Sequence, residues 1–161
     1  MARQHCGWGT GAVLAGLAVA LVGGVPAVAQ EANFGAFTLS EGSPATSVNG
    51  FTTGIFALSN IAGRDRSGTV CVGFADDTPD HIMVLQKDFA TLTLQVNSGG
   101  NDTSLLIQGP DGGTVRCGED TDRRNPDARV QDQNWAPGTY RIWVGSHSQG
   151  QRYNYSLSVS P

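Results

Sequence analysis

Short alternating runs punctuated by tight-turn residues fill most of this chain, and they leave room for little but β-structure. Residues 91–97 interleave Leu92, Leu94 and Val96 with threonine, glutamine and asparagine. In a strand the three apolar side chains then share one face and the polar ones the other. Residues 153–159 repeat the pattern with Tyr153, Tyr155, Leu157 and Val159, and Tyr140, Ile142 and Val144 make a third set. Further β-like runs lie at 34–39, 54–58, 69–74 and 82–85. Between them stand Ser98-Gly99-Gly100-Asn101, Gly109-Pro110-Asp111-Gly112-Gly113 and Ala136-Pro137-Gly138, which supply the positive φ or the preset turn that a chain reversal needs. Beyond the N-terminal segment, no stretch holds a helical period for ten residues without Gly, Pro or a β-branched cluster. The pattern predicts an all-β, antiparallel, jelly-roll-like β-sandwich. Its predicted core is Leu92, Leu94, Val96, Leu105, Ile107, Ile142, Val144, Leu157 and Val159, with a wet face on each sheet.

The first 29 residues have a different character. Arg3 and His5 precede an apolar run of Ala, Val, Leu and Gly from residue 12 to 22, and Ala27-Val28-Ala29 offers a small-x-small cleavage site before Gln30. The run is shorter than the roughly 20 apolar residues of a membrane span. A secretory signal peptide over residues 1–29 is the expectation, with a secreted or periplasmic protein and no membrane span in its mature form. Cys6 precedes the apolar run, which argues against lipoprotein processing. Residues 30–50, rich in Gly, Ser, Ala and Asn, read as an N-terminal arm or edge strand, and residues 51–161 as one sandwich domain.

Charge and cysteine usage narrow the partners. The formal net charge is −4, and Lys87 is the only lysine. Duplex nucleic acid is bound by clustered Lys and Arg that neutralise phosphates, and no such cluster exists. Export would leave Cys71 and Cys117 in a compartment where disulfides persist, so a Cys71–Cys117 bridge is expected, with Cα atoms within about 4.4–6.8 Å of each other. The alternatives are two free thiols or half of a metal site, and structural zinc asks for four ligands.

Several motifs in order carry a resemblance. Asp102-Thr103-Ser104-Leu105 is followed by the turn Gly109-Pro110-Asp111-Gly112, then by Gly138-Thr139-Tyr140 and by Tyr155 and Leu157 two apart, with Pro79-Asp80-His81 opening an earlier strand. Together these resemble the bacterial pre-peptidase C-terminal domain over about residues 71–161, in a stand-alone form. The family's acidic step is replaced here by Gly118-Glu119-Asp120. The resemblance implies a β-sandwich accessory module, associated with exported proteases, that binds rather than cuts. It also implies calcium as the one cofactor to consider. Candidate ligands are Asp102, Glu119, Asp120 and Asp122, because calcium takes six to eight oxygens from carboxylates and carbonyls. The competing reading has Asp102 capping its own turn and nearby arginines pairing with the rest.

A second candidate site is aromatic. If Ile142 and Val144 face inward, Trp143 faces outward beside Arg141, with Trp135 in the preceding loop. Trp135, Arg141 and Trp143 would form a platform for a sugar or peptide, unless the N-terminal arm covers Trp143. Catalytic signatures are missing: Ser146 and His147 are sequence neighbours that a strand points to opposite faces, and His81 beside Asp80 reads as a rim residue. The chain is therefore expected to be a non-enzyme that binds an extracellular peptide, glycan or protein surface, an exported protease among the candidate partners. The alternatives are an exported assembly protein without a small ligand and a small carboxylate-dependent hydrolase.

Overall fold

The computed structural model describes residue 1 and residues 31–161. Apart from Met1, the expected signal peptide lies outside the described residues. The elements are β1 (Ala36–Leu39), β2 (Thr46–Phe51), β3 (Phe56–Ala57), β4 (Phe74–Ala75), β5 (His81–Leu85), β6 (Phe89–Asn97), β7 (Thr103–Gln108), β8 (Val115–Gly118), β9 (Asp120–Asp122), β10 (Asn125–Trp135), β11 (Gly138–Ser146) and β12 (Asn154–Ser160), with one 3-10 turn at Leu58–Asn60. They form two packed sheets without an α-helix among the described residues.

The first sheet has seven strands, with β11 paired to β5 and β4 along one edge and to β7 along the other, β7 leading on to β8. The second runs β2-β12-β6-β10-β9. One pairing departs from the antiparallel expectation: β1 lies parallel to β5, Ala36 opposite Ile82. The residues before Phe51 thus give each sheet an edge strand, β1 to the first and β2 to the second.

All nine predicted core residues are buried between the sheets, joined by Leu39, Met83, Leu85, Phe89, Ala128, Val130, Trp135, Tyr140 and Tyr155. Strand β10 was not among the predicted runs, although residues 129–135 of it pair with β6 and its first residues pair with β9. Asn125, Pro126, Asp127, Arg129 and Asp132 give it the composition of a loop, yet Ala128, Val130 and Trp135 still reach the core.

The outer face of the first sheet is not wet. Leu106, Val115 and Trp143 point away from the main core into a second one, closed by Leu58, Cys71 and Ala75 with Ile61, Ala62 and Cys117 against it. The segment between β3 and β4 folds back over that face. It is tied down by the Cys71–Cys117 disulfide, whose Cα atoms are 5.4 Å apart. Residues 69–74, expected as a strand, run mostly as irregular backbone within this cover, with only Phe74 entering β4. The unbroken apolar run Leu105-Leu106-Ile107 makes sense here, because a strand covered on both faces loses its polar alternation.

Candidate functional site

The aromatic platform expected at Trp135, Arg141 and Trp143 does not form. Trp143 faces outward, as alternation requires, but the disulfide-tied cover buries it to 4% exposure, and its indole N–H donates to the Asp77 carbonyl at 3.3 Å. Trp135 lies at the inner end of β10, fully buried, with the Arg116 guanidinium 3.9 Å above its ring and Tyr140 beside it. Arg141 is half-buried at a separate recess beside the Gly109–Gly112 turn. The three residues share no open surface.

The acidic end also differs from expectation. Burial pushes the Glu119 carboxyl up, with Asp120 and Asp102 adding to that and His147 opposing it. His147 Nδ1 stands 4.0 Å from Glu119. Asp122 is spent elsewhere, accepting backbone N–H bonds from Arg124 and Asn125 at 2.7 and 3.2 Å. The turn after β6 is capped by Asp127 and Ser98 rather than by Asp102. Asp127 accepts from the Ser98 and Gly100 N–H groups and the Ser98 hydroxyl. Among the described residues no three His, Cys, Asp or Glu side chains are placed to hold a metal ion. Asp102, Glu119, Asp120 and Asp122 are thus not gathered into one such group.

The chain instead assembles an open groove of about 490 Å³, lined by Phe34, Asn49, Gly50, Phe51, Asn97, Asn154 and Tyr155. Each wall has a local cause. Phe34 is held by the arm before β1, where Asn33 and Phe34 N–H groups donate to the Pro79 and Asp80 carbonyls at 2.9 and 2.8 Å. Phe51 ends β2 opposite Asn154 of β12, meeting the Phe34 ring edge-on at 4.8 Å. The Arg152 guanidinium lies 3.3 Å from the Phe51 ring centre. Gly50 is required here because a Cβ would stand 2.5 Å from Tyr155 Oη. That missing side chain lets the tyrosine ring pass beneath β2.

Under the groove lies a sealed polar pair. His81, expected at a rim, is fully buried and shares a 2.9 Å hydrogen bond with the Tyr155 hydroxyl through Nε2. Its Nδ1 is buried without a partner. Burial pushes the His81 imidazole down to about 4. Asp80, 2% exposed, accepts from the Val144 N–H at 2.7 Å and from the Asn33 amide at 3.4 Å. Burial nonetheless raises its carboxyl to about 7, the Asp76 charge adding to the effect. Burial raises the Tyr155 phenol as well, with Asp80 contributing. Phe34 packs tilted and Tyr155 edge-on against the His81 ring, and both His81 and Asp80 are buried. What faces solvent is rings and amides. Sequence reasoning did not collect these residues, because they come from four separated segments; only the inward parity of Tyr155 was readable.

A second recess of about 510 Å³, beside β3 and β4, is lined by residues including Ile55, Phe56, Phe74, Asp76 and Asp77.

No protein-family model matches the sequence, and no curated protein matches it. Among solved structures, the chain is similar to the pre-peptidase C-terminal domain of collagenase from Bacillus anthracis. That likeness has 15% identity and a TM-score of 0.47, covering 81% of this chain and 96% of the other. It is also similar to PliG from Aeromonas hydrophila, a periplasmic inhibitor of g-type lysozyme, with 16% identity and a TM-score of 0.44, covering 81% of this chain and 98% of that one.

Proposed function

We propose that this chain is an exported, non-catalytic β-sandwich module that binds an extracellular polymer, peptide or glycan, in the groove of Phe34, Phe51 and Tyr155. The observation that carries it is the groove's lining: the half-buried Phe34 and Phe51 rings and three asparagine amides in one open concavity floored by the buried Tyr155. Aromatic faces bury large area at low entropic cost, and a few placed amides fix orientation. A nucleophile within reach of an oriented base is what covalent catalysis needs. The imidazole nearest the groove is instead sealed beneath it and bonded to a phenol. The Cys71–Cys117 bridge supports export, since such bridges persist in oxidising compartments.

The test is retention of the protein on immobilised gelatin, chitin, cellulose and xylan. Phe51→Ala and the exposed Asn154→Ala should each reduce retention about tenfold while leaving circular dichroism unchanged, the loss of about 1.4 kcal/mol of contact energy. Equal retention by both variants would remove the groove from the proposal. Hydrolysis of any of these polymers by pure protein, lost in Asp80→Asn, would overturn the non-catalytic reading.

A further inference from the structure

We infer that the ligand is a neutral polysaccharide, and that its footprint continues from the groove across the whole outer face of the five-stranded sheet. This rests on the binding reading above and names its ligand class. The strand registers stack the outward side chains in ranks. Phe51 and Asn154 form the rank at the groove. Asn49, Ser156 and Asn97 form the next, then Ser47, Ser158, Gln95 and Arg129. Ser160, Thr93 and Gln131 follow, and Thr91 with Gln133 ends the series. Ranks in a sheet lie about 6.7 Å apart along the strands, with neighbours about 4.8 Å apart across them.

Two properties set this face apart. The chain carries 14 Asp and Glu against 10 Lys and Arg. Arg152 lies on the Phe51 ring at the groove, and Asp127, at the outward parity of β10, is buried in the Ser98 turn; the remaining positions of these ranks hold no carboxylate and a single cation. That cation, Arg129, is engaged by the Gln131 side chain at 3.0 Å. The second property is spare hydrogen-bonding capacity. Some groups satisfy one another, as Ser47 and Ser156 do at 2.8 Å. The side chains of Asn49, Thr91, Thr93 and Asn154 have no hydrogen-bond partner among the described residues, and all but Thr93 are exposed. Amides and hydroxyls both donate and accept, which suits a partner covered in hydroxyls.

Other partners fit poorly. Nucleic acid and acidic glycans call for clustered cations to meet their charges. A protein partner calls for buried aromatic or aliphatic anchors at the centre of its contact, and the centre of this face is serine, threonine and glutamine. Only its groove end offers rings, the half-buried Phe34 and Phe51, and the Arg152 guanidinium already covers one face of Phe51.

The experiment measures retention on chitin, cellulose and xylan, with gelatin and heparin-agarose as contrasts, in low salt and in about 1 M NaCl, where screening acts within a few ångströms. Retention on at least one neutral glycan, unchanged by salt, is expected. Thr93→Ala and Gln131→Ala, three ranks from the groove, should each weaken it about three- to tenfold, the range of one net hydrogen bond. Retention on gelatin alone, lost in Phe51→Ala, would overturn the glycan while leaving a binding module standing. Salt-sensitive retention on heparin alone would overturn neutrality. Glycan binding lost in Phe51→Ala but indifferent to Thr93→Ala and Gln131→Ala would overturn the extended footprint. Retention on none of the polymers would overturn the binding reading itself.

Discussion

On the seven-stranded sheet the outward positions of neighbouring strands are Leu106 and Trp143, and both are buried. On the five-stranded sheet the corresponding positions are Thr93, Gln95, Ser156 and Ser158, and among the described residues their side-chain contacts stay within the sheet, as with Thr121 of β9 at Gln95 and Ser47 of β2 at Ser156. Both faces obey the same period of two. What differs is the chemistry placed at the outward parity, and it reports which face the chain will cover. Leucine and tryptophan there recruited the segment between β3 and β4, with a disulfide to hold it. Serine, threonine and amides recruited no such cover among the described residues, which is what the proposed binding face requires.

Removing the anchor of the covered face should have the largest effect. Trp143→Ala empties the second core of its largest side chain, and truncating a buried aromatic costs about 3–5 kcal/mol. Chemical denaturation should show a loss of that size. A change below about 1 kcal/mol would mean that the cover does not pack on Trp143 in solution. Replacing both Cys71 and Cys117 by serine should cost about 2–4 kcal/mol, since the bridge restrains a loop spanning 46 positions in the unfolded chain. Proteolysis should then begin within residues 59–73, while the five-stranded sheet stays protected. Cleavage spread evenly over both sheets would break the distinction between the two faces.

The open side has a buried part of its own, and pH reads it. In the fold His81 takes a proton only near pH 4, against an ordinary 6.5. As pH falls from 6.5 toward 4 the unfolded chain binds a proton that the fold refuses, so this group withdraws stability on acidification. Asp80 behaves in the opposite sense, ionising in the fold only near 7 against an ordinary 3.8. Its unfolded form loses a proton earlier, so it withdraws stability as pH rises from about 4 to 7. The two slopes oppose each other, and the pair's contribution is nearly flat from about pH 4 to 6.5. Asp80→Asn should expose the His81 slope, with stability falling by up to about 3 kcal/mol on going down from pH 6.5 to 4. His81→Gln should expose the Asp80 slope, a loss of similar size on going up from pH 4 to 7. Melting temperatures across pH check both. Parallel profiles for the two variants would show that the groups are not buried as a pair.

How much of this was legible depended on whether a signal was local. Leu92, Leu94 and Val96 announce their strand within seven residues, and all are buried. Even the parity of Trp143 was readable; the cover above it was not, because Leu58, Ile61 and Cys71 come from irregular backbone without a period. Strand β10 was hidden by its polar residues. Asp132, on its inward side, is tolerated only because Arg116 and Arg66 pair with it at 2.7 and 3.1 Å. The groove was the least legible feature, since Phe34, Phe51, Asn97 and Tyr155 meet only after both sheets have formed. His81 looked like a rim residue because no local signal reveals that a phenylalanine 47 positions earlier will close over it.

The smallest expected effect is the most discriminating one for the two faces. Thr93→Ala and Gln131→Ala remove outward polar groups that make few or no bonds within the chain, so each should change folding stability by less than about 0.5 kcal/mol, as surface substitutions usually do. The Thr93 side chain makes no hydrogen bond among the described residues, and the Gln131 side chain only receives one from Arg129. The same substitutions are expected to weaken glycan retention several-fold, whereas Trp143→Ala should cost stability and leave retention per folded molecule unchanged. A face kept for folding loses stability when altered, and a face kept for binding loses affinity. A loss of more than about 1 kcal/mol in Thr93→Ala would mean that the open sheet face is covered in the folded protein after all, and the contrast between the two sheets would fail.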